Sequence, residues 1–380
     1  EYKTNFATDD TLPSPNVYWI LCDGMLGFDA MEKYFNEPQN KLTADLEDRG
    51  FTINKSAMLE SGHSTRIAIP ELMCPDYCDK YLAHILDNHK TAMQYREKKN
   101  TDLFNASYYN ETINAFNSKG YTTISMALDD VFFSAVDISY YVAAHYTSES
   151  DYANLPYYIN NYKRKDATYM EKRLSAQHLG DIFLGGLPDV IFDKLNKGSI
   201  NKHRLSAETE KGLSILPDNN YANKYSALIE SFSDSLNSVG IKEPKFILAH
   251  ALMAHYPIWF DENGNLVAKQ GDIMSYPGQH AFATKVITKI IDMILEVDPD
   301  AVIVLQADHG LHGQTEEQIA AAFGSPDAAI DIWNNVFSAV RIPDKYKNGD
   351  EIYAERNPLN MSRYLVNSFV GKNYAYVEGQ

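Results

Sequence analysis

The stretch NVYWILCDG, residues 16–24, is an apolar run of β-forming residues that ends at an Asp-Gly pair. An apolar run without polar alternation is typical of a strand that is buried on both faces, as in a parallel sheet. Three further runs of this kind occur, at residues 121–127, 245–250 and 301–306. These four stretches predict the strands of a central sheet.

Helical patterns separate the predicted strands. Residues 283–297 carry apolar side chains at helical spacing, and weaker helical patterns that end in glycine cover residues 41–50 and 110–120. The alternation of strands and helices predicts an α/β fold with a mainly parallel central sheet sandwiched by helices. We predict a polar linker over residues 1–15, followed by a single domain over residues 16–380.

The charge of the chain excludes some partners. Its 380 residues include 34 Lys and Arg against 51 Asp and Glu, which gives a formal net charge of -17. A field of this sign repels phosphate backbones, so we expect no nucleic-acid partner and no electrostatic adhesion to anionic lipid. No stretch approaches the roughly 20 consecutive apolar residues of a membrane span.

Cysteine usage leaves the redox compartment open. Cys22 lies inside the first apolar run, where we interpret it as a small buried hydrophobic residue. Cys74 and Cys78 are four residues apart, and a disulfide between them and a pair of free thiols are equally compatible with the sequence. A disulfide would indicate an oxidising compartment.

Candidate metal ligands follow three of the predicted strands. Asp23 comes directly after the first, His255 lies five residues beyond the third, and Asp308 and His309 follow the fourth. The carboxyl ends of parallel strands meet at one edge of a sheet, so we expect these side chains to lie together. Carboxylate and imidazole ligands suit Zn²⁺ or Mn²⁺. Each motif alone is also compatible with an ordinary turn or an isolated histidine.

A fourth motif, ESGHSTRIAIPELMC at residues 60–74, combines a polar stretch with a predicted helix at residues 66–73. Ser64 or Thr65 would lie at the helix start, where free backbone N–H groups favour anions. The same residues are also compatible with an ordinary N-cap. Pro70 predicts a kink in this helix or a delayed start.

Taken together and in this order, the motifs resemble those of the alkaline phosphatase superfamily. The branch is that of the sulfatase-like hydrolases and transferases, which includes lipoteichoic acid synthases and phosphoethanolamine transferases. The resemblance extends over residues 15–343 and implies a catalytic domain of that fold. It also implies one divalent metal ion, Mn²⁺ or Zn²⁺ with Mg²⁺ as a further option, whose ligands would be Asp23, Thr65, Asp308 and His309.

The resemblance further implies roles for individual residues. Thr65, five residues before Pro70, matches the nucleophile of the family, with Ser64 as the alternative. His255, in the sequence HYP, matches a histidine that binds the phosphate group. His312 resembles a further histidine that some members place near the substrate.

Two departures from the family narrow the prediction. Sulfatases carry Cys-x-Pro-Ser-Arg, which the segment Ser64-Thr65-Arg66-Ile67 does not match, so sulfate-ester hydrolysis is disfavoured. Members with two zinc ions add a second Asp-x-x-x-His cluster, for which we identify no counterpart. We therefore expect a single metal ion.

The resemblance implies a metal-dependent phosphotransferase or phosphodiesterase that acts on phospholipid-headgroup phosphoesters, such as phosphoglycerol or phosphoethanolamine, at the cell surface. Because the chain starts at Glu1 with a polar segment, we expect an extracytoplasmic domain, at a bacterial cell surface or in the periplasm. Contact with the membrane would come only through a removed N-terminal transmembrane anchor.

One alternative is a phosphomonoesterase or phosphodiesterase with a soluble substrate, and another is a non-catalytic domain that binds glycans or headgroups. A cytoplasmic phosphosugar mutase would need more metal ligands than we identify. The oligomeric state stays open.

Overall fold

The computed structural model describes residues 7–59, 65–82, 110–127, 140–145, 158–159, 162–163, 244–251, 254–256, 258, 260–265, 267 and 272–378.

A mixed sheet forms the centre of the described structure. Its strands are β1 (Val17–Cys22), β2 (Thr52–Ile53), β3 (Thr122–Ala127), β4 (Tyr140–His145), β5 (Tyr158–Ile159), β6 (Tyr162–Lys163), β7 (Lys245–Ala251), β8 (Val302–Gln306) and β9 (Ser338–Arg341). Their order across the sheet is β2-β9-β8-β1-β7-β3-β4-β5, and β6 also pairs with β4. The strands from β8 to β4 in this order run parallel, whereas antiparallel pairs form both edges.

Helices flank the sheet. They are α1 (Phe28–Phe35), α2 (Asn40–Glu47), α3 (Thr65–Met73), α4 (Pro75–Tyr77), α5 (Glu111–Ser118), α6 (Tyr276–Val297), α7 (Glu316–Phe323), α8 (Ala328–Asn334), α9 (Glu351–Arg356) and α10 (Asn360–Phe369). Helix α10 packs on α3 and α5, while α6 contacts α2. The predicted fold class, a mainly parallel sheet sandwiched by helices, is therefore confirmed.

The four predicted strands correspond to β1, β3, β7 and β8. Every residue of β1 is buried, because the strand lies between β7 and β8 and is covered on both faces. That position explains its continuous apolar sequence. The helix α6 buries the apolar stripe that the sequence predicted, while Lys285 and Lys289 on the other face are exposed.

Three helices begin earlier than predicted, of which α2 differs by a single residue. Helix α6 begins at Tyr276 rather than at residue 283. The prediction missed its first two turns because they bury the polar side chains of Gln279 and His280, which do not continue the apolar stripe. Helix α3 begins at Thr65 and continues through Pro70, so the predicted delayed start is wrong. Pro70 has no N–H to donate, and its carbonyl accepts a hydrogen bond from the Cys74 N–H at 3.1 Å. The kink that was the alternative stays a prediction.

The two nearby cysteines are free thiols in the structure. Cys74 and Cys78 are both buried, and they follow one another along a helical turn in which the Cys78 N–H donates to the Cys74 carbonyl at 2.9 Å. Of the two alternatives that the sequence allowed, the structure therefore contains the free pair.

The division of the chain into a linker and one domain stays a prediction. Within the predicted linker, the Asp9 N–H donates to the Val370 carbonyl at 2.8 Å, at the end of α10. No helix among the described residues combines the length and the apolar character that crossing a membrane requires.

Candidate metal centre

The carboxyl ends of three neighbouring strands bring the predicted ligands together. Asp23 follows β1, Asp308 and His309 follow β8, and His255 lies four residues after β7. Because β1 pairs in parallel with both β7 and β8, the three loops emerge at the same edge of the sheet.

Two carboxylates converge on one imidazole at this edge. The Nε2 atom of His309 lies 3.3 Å from Asp23 Oδ1 and 3.5 Å from Asp308 Oδ2. All three residues are at most 2% exposed. Each offers one ligand atom, and these atoms lie within 4.8 Å of one another, as the ligands of a single metal ion would.

The backbone after β8 orients two of these ligands. Asp308 Oδ1 accepts hydrogen bonds from the N–H groups of His309, at 3.0 Å, and Gly24, at 3.2 Å. His309 Nδ1 lies 2.8 Å from the Gly310 carbonyl and donates to it, so Nε2 faces the carboxylates. A side chain at Gly310 would place its Cβ 2.1 Å from the Ile332 carbonyl oxygen. The sequence Asp-His-Gly thus fits this turn residue by residue.

His250 is a site residue that the sequence analysis missed. Its Nε2 lies 2.9 Å from Asp23 Oδ2, and both side chains are buried. This contact holds the carboxylate so that Oδ1, which accepts no hydrogen bond from the described residues, faces His309. His250 is the penultimate residue of β7, so the rule that placed the other ligands at strand ends also applies to it.

Electrostatics within the cluster favour an ionised Asp23 carboxylate. Burial acts to raise the pKa of Asp23, but His255, His250 and His309 outweigh it and lower that pKa well below its ordinary value. Burial likewise acts to lower the pKa of His309, whereas Asp308 and Asp23 raise it to about 9. The carboxylates therefore attract a compensating positive charge, which a divalent cation could supply instead of a proton.

A second group of potential ligands consists of His255, His309 and His312, whose ligand atoms also lie within 4.8 Å of one another. The Nε2 atoms of His255 and His312 are 2.7 Å apart. Burial lowers the pKa of His255 below its ordinary value. Because His309 belongs to both groups and its Nδ1 is engaged by Gly310, the two groups compete for one nitrogen. The expectation of a single metal ion stays a prediction.

Thr65 lies beside the same cluster. It is the first residue of α3, and its Oγ1 is 3.4 Å from His309 Nε2. Ser64, the alternative nucleophile, lies outside the described residues. The structure brings together all the other predicted site residues, namely Asp23, Thr65, His255, Asp308, His309 and His312.

Gly24 allows the loop after β1 to approach the loop after β7. Its φ of 66° lies in the left-handed region, and a Cβ at this position would lie 3.1 Å from His255 Cα. The Asp-Gly pair that follows β1 is therefore part of the site, because any side chain there would push His255 away from Asp23.

No protein-family model matches the chain, and a comparison with curated proteins finds no match. Among solved structures, the chain is similar to the C-terminal periplasmic domain of EcEptC from Escherichia coli. The identity is 12%, the TM-score is 0.48, and 97% of this chain and 86% of that chain are covered. The soluble domain of lipooligosaccharide phosphoethanolamine transferase A from Neisseria meningitidis is also similar. Here the identity is 10% and the TM-score 0.47, over 96% of this chain and 90% of that one.

A further similar structure comes from a study of glycosaminoglycan metabolism in Bacteroides thetaiotaomicron, with 11% identity and a TM-score of 0.47 over 94% of this chain and 73% of that one. These similarities concern the fold alone. At such identities and TM-scores they carry no argument about activity, which rests on the geometry of the site.

Proposed function

We propose that this chain is a metal-dependent phosphotransferase or phosphodiesterase that uses Thr65 as its nucleophile. The observation that supports the proposal most directly is the 3.4 Å distance between Thr65 Oγ1 and His309 Nε2. It places a hydroxyl group at the edge of a buried cluster of two carboxylates and an imidazole.

The chemistry of the donor set fits a divalent cation. Asp23, Asp308, His309 and Thr65 would hold it through carboxylate and hydroxyl oxygens and one imidazole nitrogen, a set that suits Mn²⁺ or Zn²⁺. The buried Asp23 Oδ1 atom accepts no hydrogen bond among the described residues, as expected for an oxygen that binds a cation. Such an ion would supply positive charge that lowers the pKa of a nearby hydroxyl and stabilises charge on phosphate oxygens.

The first step would be carried out by Thr65. Its position at the start of α3 would bring the backbone N–H groups of the first helical turn next to an incoming phosphate group. As a bond forms between Thr65 Oγ1 and phosphorus, the hydroxyl proton is lost to water and the bond from phosphorus to the leaving oxygen breaks. His255 and His312, which are less buried than His309, would contact the phosphate group, and His312 would give the leaving oxygen its proton.

The second step determines whether the enzyme is a hydrolase or a transferase. The phosphorylated Thr65 would react with water in a hydrolase and with an acceptor alcohol in a transferase. We propose a phospholipid-headgroup phosphoester, carrying phosphoglycerol or phosphoethanolamine, as the substrate, with the domain held at the outer face of a membrane by an anchor. This part of the proposal is supported by the resemblance of the sequence motifs. Because the chain has a net charge of -17, its overall field would repel a phosphorylated substrate. Capture of the substrate would therefore depend on the histidines and the cation.

The test uses the purified chain after removal of metal with a chelator. Mn²⁺, Zn²⁺ and Mg²⁺ are added separately, and binding is measured as a shift in melting temperature. Turnover is then measured with p-nitrophenyl phosphate, with bis-p-nitrophenyl phosphate and with vesicles of phosphatidylglycerol or phosphatidylethanolamine. We expect Mn²⁺ or Zn²⁺ to raise the melting temperature and to support cleavage of the diester and of at least one lipid.

Two other results would overturn the proposal in different ways. Cleavage that is restricted to p-nitrophenyl phosphate would indicate a phosphomonoesterase with a soluble substrate. The absence of both metal binding and turnover would indicate a non-catalytic domain.

A further inference from the structure

The first two turns of α6 place three buried polar side chains next to the two loops that carry Asp23 and His255. These side chains belong to Tyr276, Gln279 and His280, and none is more than 1% exposed. Their spacing of three and four residues places them on one face of the helix. Polar groups this deeply buried are retained where they make specific hydrogen bonds, and all three bond to loop backbone.

Two of the three hold the loop after β1. The hydroxyl of Tyr276 accepts a hydrogen bond from the Leu26 N–H at 2.9 Å and donates one to the Gly24 carbonyl at 3.2 Å. His280 Nε2 lies 3.1 Å from the Leu26 carbonyl and donates to it. The backbone directly after Asp23 is therefore bonded at three points to a single helix.

Gln279 holds the loop after β7 in the same manner. Its Nε2 donates to the His255 carbonyl at 2.9 Å, and its Oε1 accepts from the Phe260 N–H at 3.2 Å. One side chain thus joins both ends of the segment that begins at His255. The rest of α6 is a rigid base for these contacts, because its apolar residues are buried along almost its whole length.

We propose that Tyr276, Gln279 and His280 are positioning residues, which form a platform on α6 that sets the distance between Asp23 and His255. The inference rests on the proposed function, since it assigns separate effects to a metal ligand and to a residue that contacts substrate. Tyr276 and His280 act on metal binding through the loop of Asp23. Gln279 acts on turnover through the loop of His255.

The experiment compares single variants of the whole chain. Tyr276→Phe and His280→Leu remove contacts to the first loop, and Gln279→Leu removes contacts to the second. His280→Gln is the conservative variant, because a glutamine amide can donate to the Leu26 carbonyl in place of Nε2. Thr288→Val is the matched control, since the Thr288 hydroxyl donates to the Thr284 carbonyl within the same helix and contacts neither loop among the described residues.

The first readout is amide hydrogen exchange, which needs neither metal nor turnover. We expect exchange at the Leu26 amide to accelerate about tenfold in Tyr276→Phe, the loss expected for one hydrogen bond. Exchange at the Phe260 amide should accelerate similarly in Gln279→Leu. Neither amide should change in Thr288→Val. If exchange stayed unchanged at Leu26 in Tyr276→Phe and at Phe260 in Gln279→Leu, the proposal that these residues hold the two loops would be wrong.

The second readout separates a positioning role from a merely structural one. We expect Mn²⁺ affinity to fall about tenfold in Tyr276→Phe and His280→Leu, as found when residues that orient metal ligands are replaced. In His280→Gln the affinity should equal that of the wild type. Gln279→Leu should keep the Mn²⁺ affinity and lower kcat for the diester. Losses that follow only the melting temperature, without this split, would overturn the inference. A wild-type chain that binds no Mn²⁺ and cleaves no phosphoester would instead refute the proposed function, and the exchange data would still decide whether the platform holds the loops.

Discussion

Two groups of charged side chains in this molecule differ in burial and in the balance of charge: in one both carboxylates are buried, and in the other the arginine is buried while its carboxylate partner, Asp79, is 49% exposed. One is the candidate metal centre. The other, which we call the C-terminal clasp, consists of Arg363, Asp79, Leu359 and Ala375. Arg363 is 1% exposed and bonds Asp79 through two nitrogens, Nη2 to Oδ1 at 2.7 Å and Nη1 to Oδ2 at 3.0 Å. Its Nη1 also donates to the Ala375 carbonyl at 2.9 Å, and its Nε donates to the Leu359 carbonyl at 3.2 Å.

The difference concerns the balance of charge. In the C-terminal clasp, a guanidinium group meets one carboxylate and two carbonyls, so every charge has an opposite partner within the protein. In the metal centre, Asp23 and Asp308 both approach His309, and Asp23 also lies near His250 and His255. Asp23 Oδ1 nevertheless accepts no hydrogen bond from the described residues. A charge that is paired within the protein leaves no position for a ligand, whereas two buried carboxylates that converge at one edge of the sheet are suited to bind a cation.

The largest expected effect concerns the metal centre alone. Thr65→Ala should lower kcat by about 10³-fold or more, because it removes the proposed nucleophile. The melting temperature should stay near that of the wild type, since the hydroxyl is only half-buried. Turnover of the diester and thermal unfolding check both statements.

Thr52→Ala is the control for this variant, because Thr52 is exposed on an edge strand, where its hydroxyl contacts Glu355. Full activity in Thr65→Ala would contradict the assignment. In that case the same assay on Ser64→Ala would decide whether the neighbouring hydroxyl is the nucleophile.

Asp308→Asn should separate binding from stability. Asparagine can keep the two backbone hydrogen bonds at Oδ1 while it removes one of two like charges. We expect Mn²⁺ affinity to fall about 100-fold or more. The free energy of unfolding without metal should change by less than about 1 kcal/mol. Titration calorimetry and urea denaturation measure the two quantities.

Asp300→Asn is the matched control, since Asp300 precedes the same strand, β8, at its opposite end and is exposed. If Asp308→Asn destabilised the metal-free protein by several kcal/mol, the contrast between the two clusters would fail.

Arg363→Met should have the converse effect. It leaves the Leu359 and Ala375 carbonyls without their charged donor, so the free energy of unfolding should fall by about 3 kcal/mol. Mn²⁺ affinity should stay within about twofold of the wild type. Urea denaturation and titration calorimetry again give both values. Arg356→Met, at an exposed position before α10, should change stability by less than about 0.5 kcal/mol. Equal losses in the two variants would show that the clasp does not stabilise the fold.

The smallest expected effect is a pH dependence that arises from His280, outside both clusters. Burial lowers the pKa of His280 from 6.5 to about 4, with the Leu26 carbonyl acting in the opposite direction. Below pH 6.5 the unfolded chain therefore binds a proton that the folded chain does not bind until about pH 4, so stability falls as the pH falls through this window. Between pH 6.5 and 5 this contribution is about 2 kcal/mol.

Urea denaturation of the wild type and of His280→Gln at several pH values checks this effect. The slope of the free energy of unfolding against pH should be smaller in the variant, by the amount that corresponds to one bound proton. Identical slopes would mean that His280 is not buried in its neutral form.

The sequence predicted those parts of the fold whose signal is local. The strands β1, β7 and β8 are continuous apolar runs because each is buried on both faces, and the ligands follow them directly in the chain. The sequence Asp308-His309-Gly310 was recognisable because all three residues act within one turn.

Other features depend on contacts between distant segments and carry little local signal. Tyr276 bonds to the backbone of Gly24, which any residue could offer, so no pattern of side chains marks the contact. The polar face of the first turns of α6 also concealed the start of that helix. His250 differs from these cases, because it lies at a strand end and could have been predicted from the rule used for Asp23.

The centre is assembled from segments that are far apart in the chain, since Asp308 accepts a hydrogen bond from Gly24 over a separation of 284 residues. Contacts of such long range are completed late in folding, after the entropy of closing the intervening loop has been lost. Neither the unfolded chain nor a partly folded one with an unfinished sheet therefore contains the site. An ion that binds only the completed site would therefore bind only after β1, β7 and β8 have paired. Its binding would stabilise the folded state by mass action.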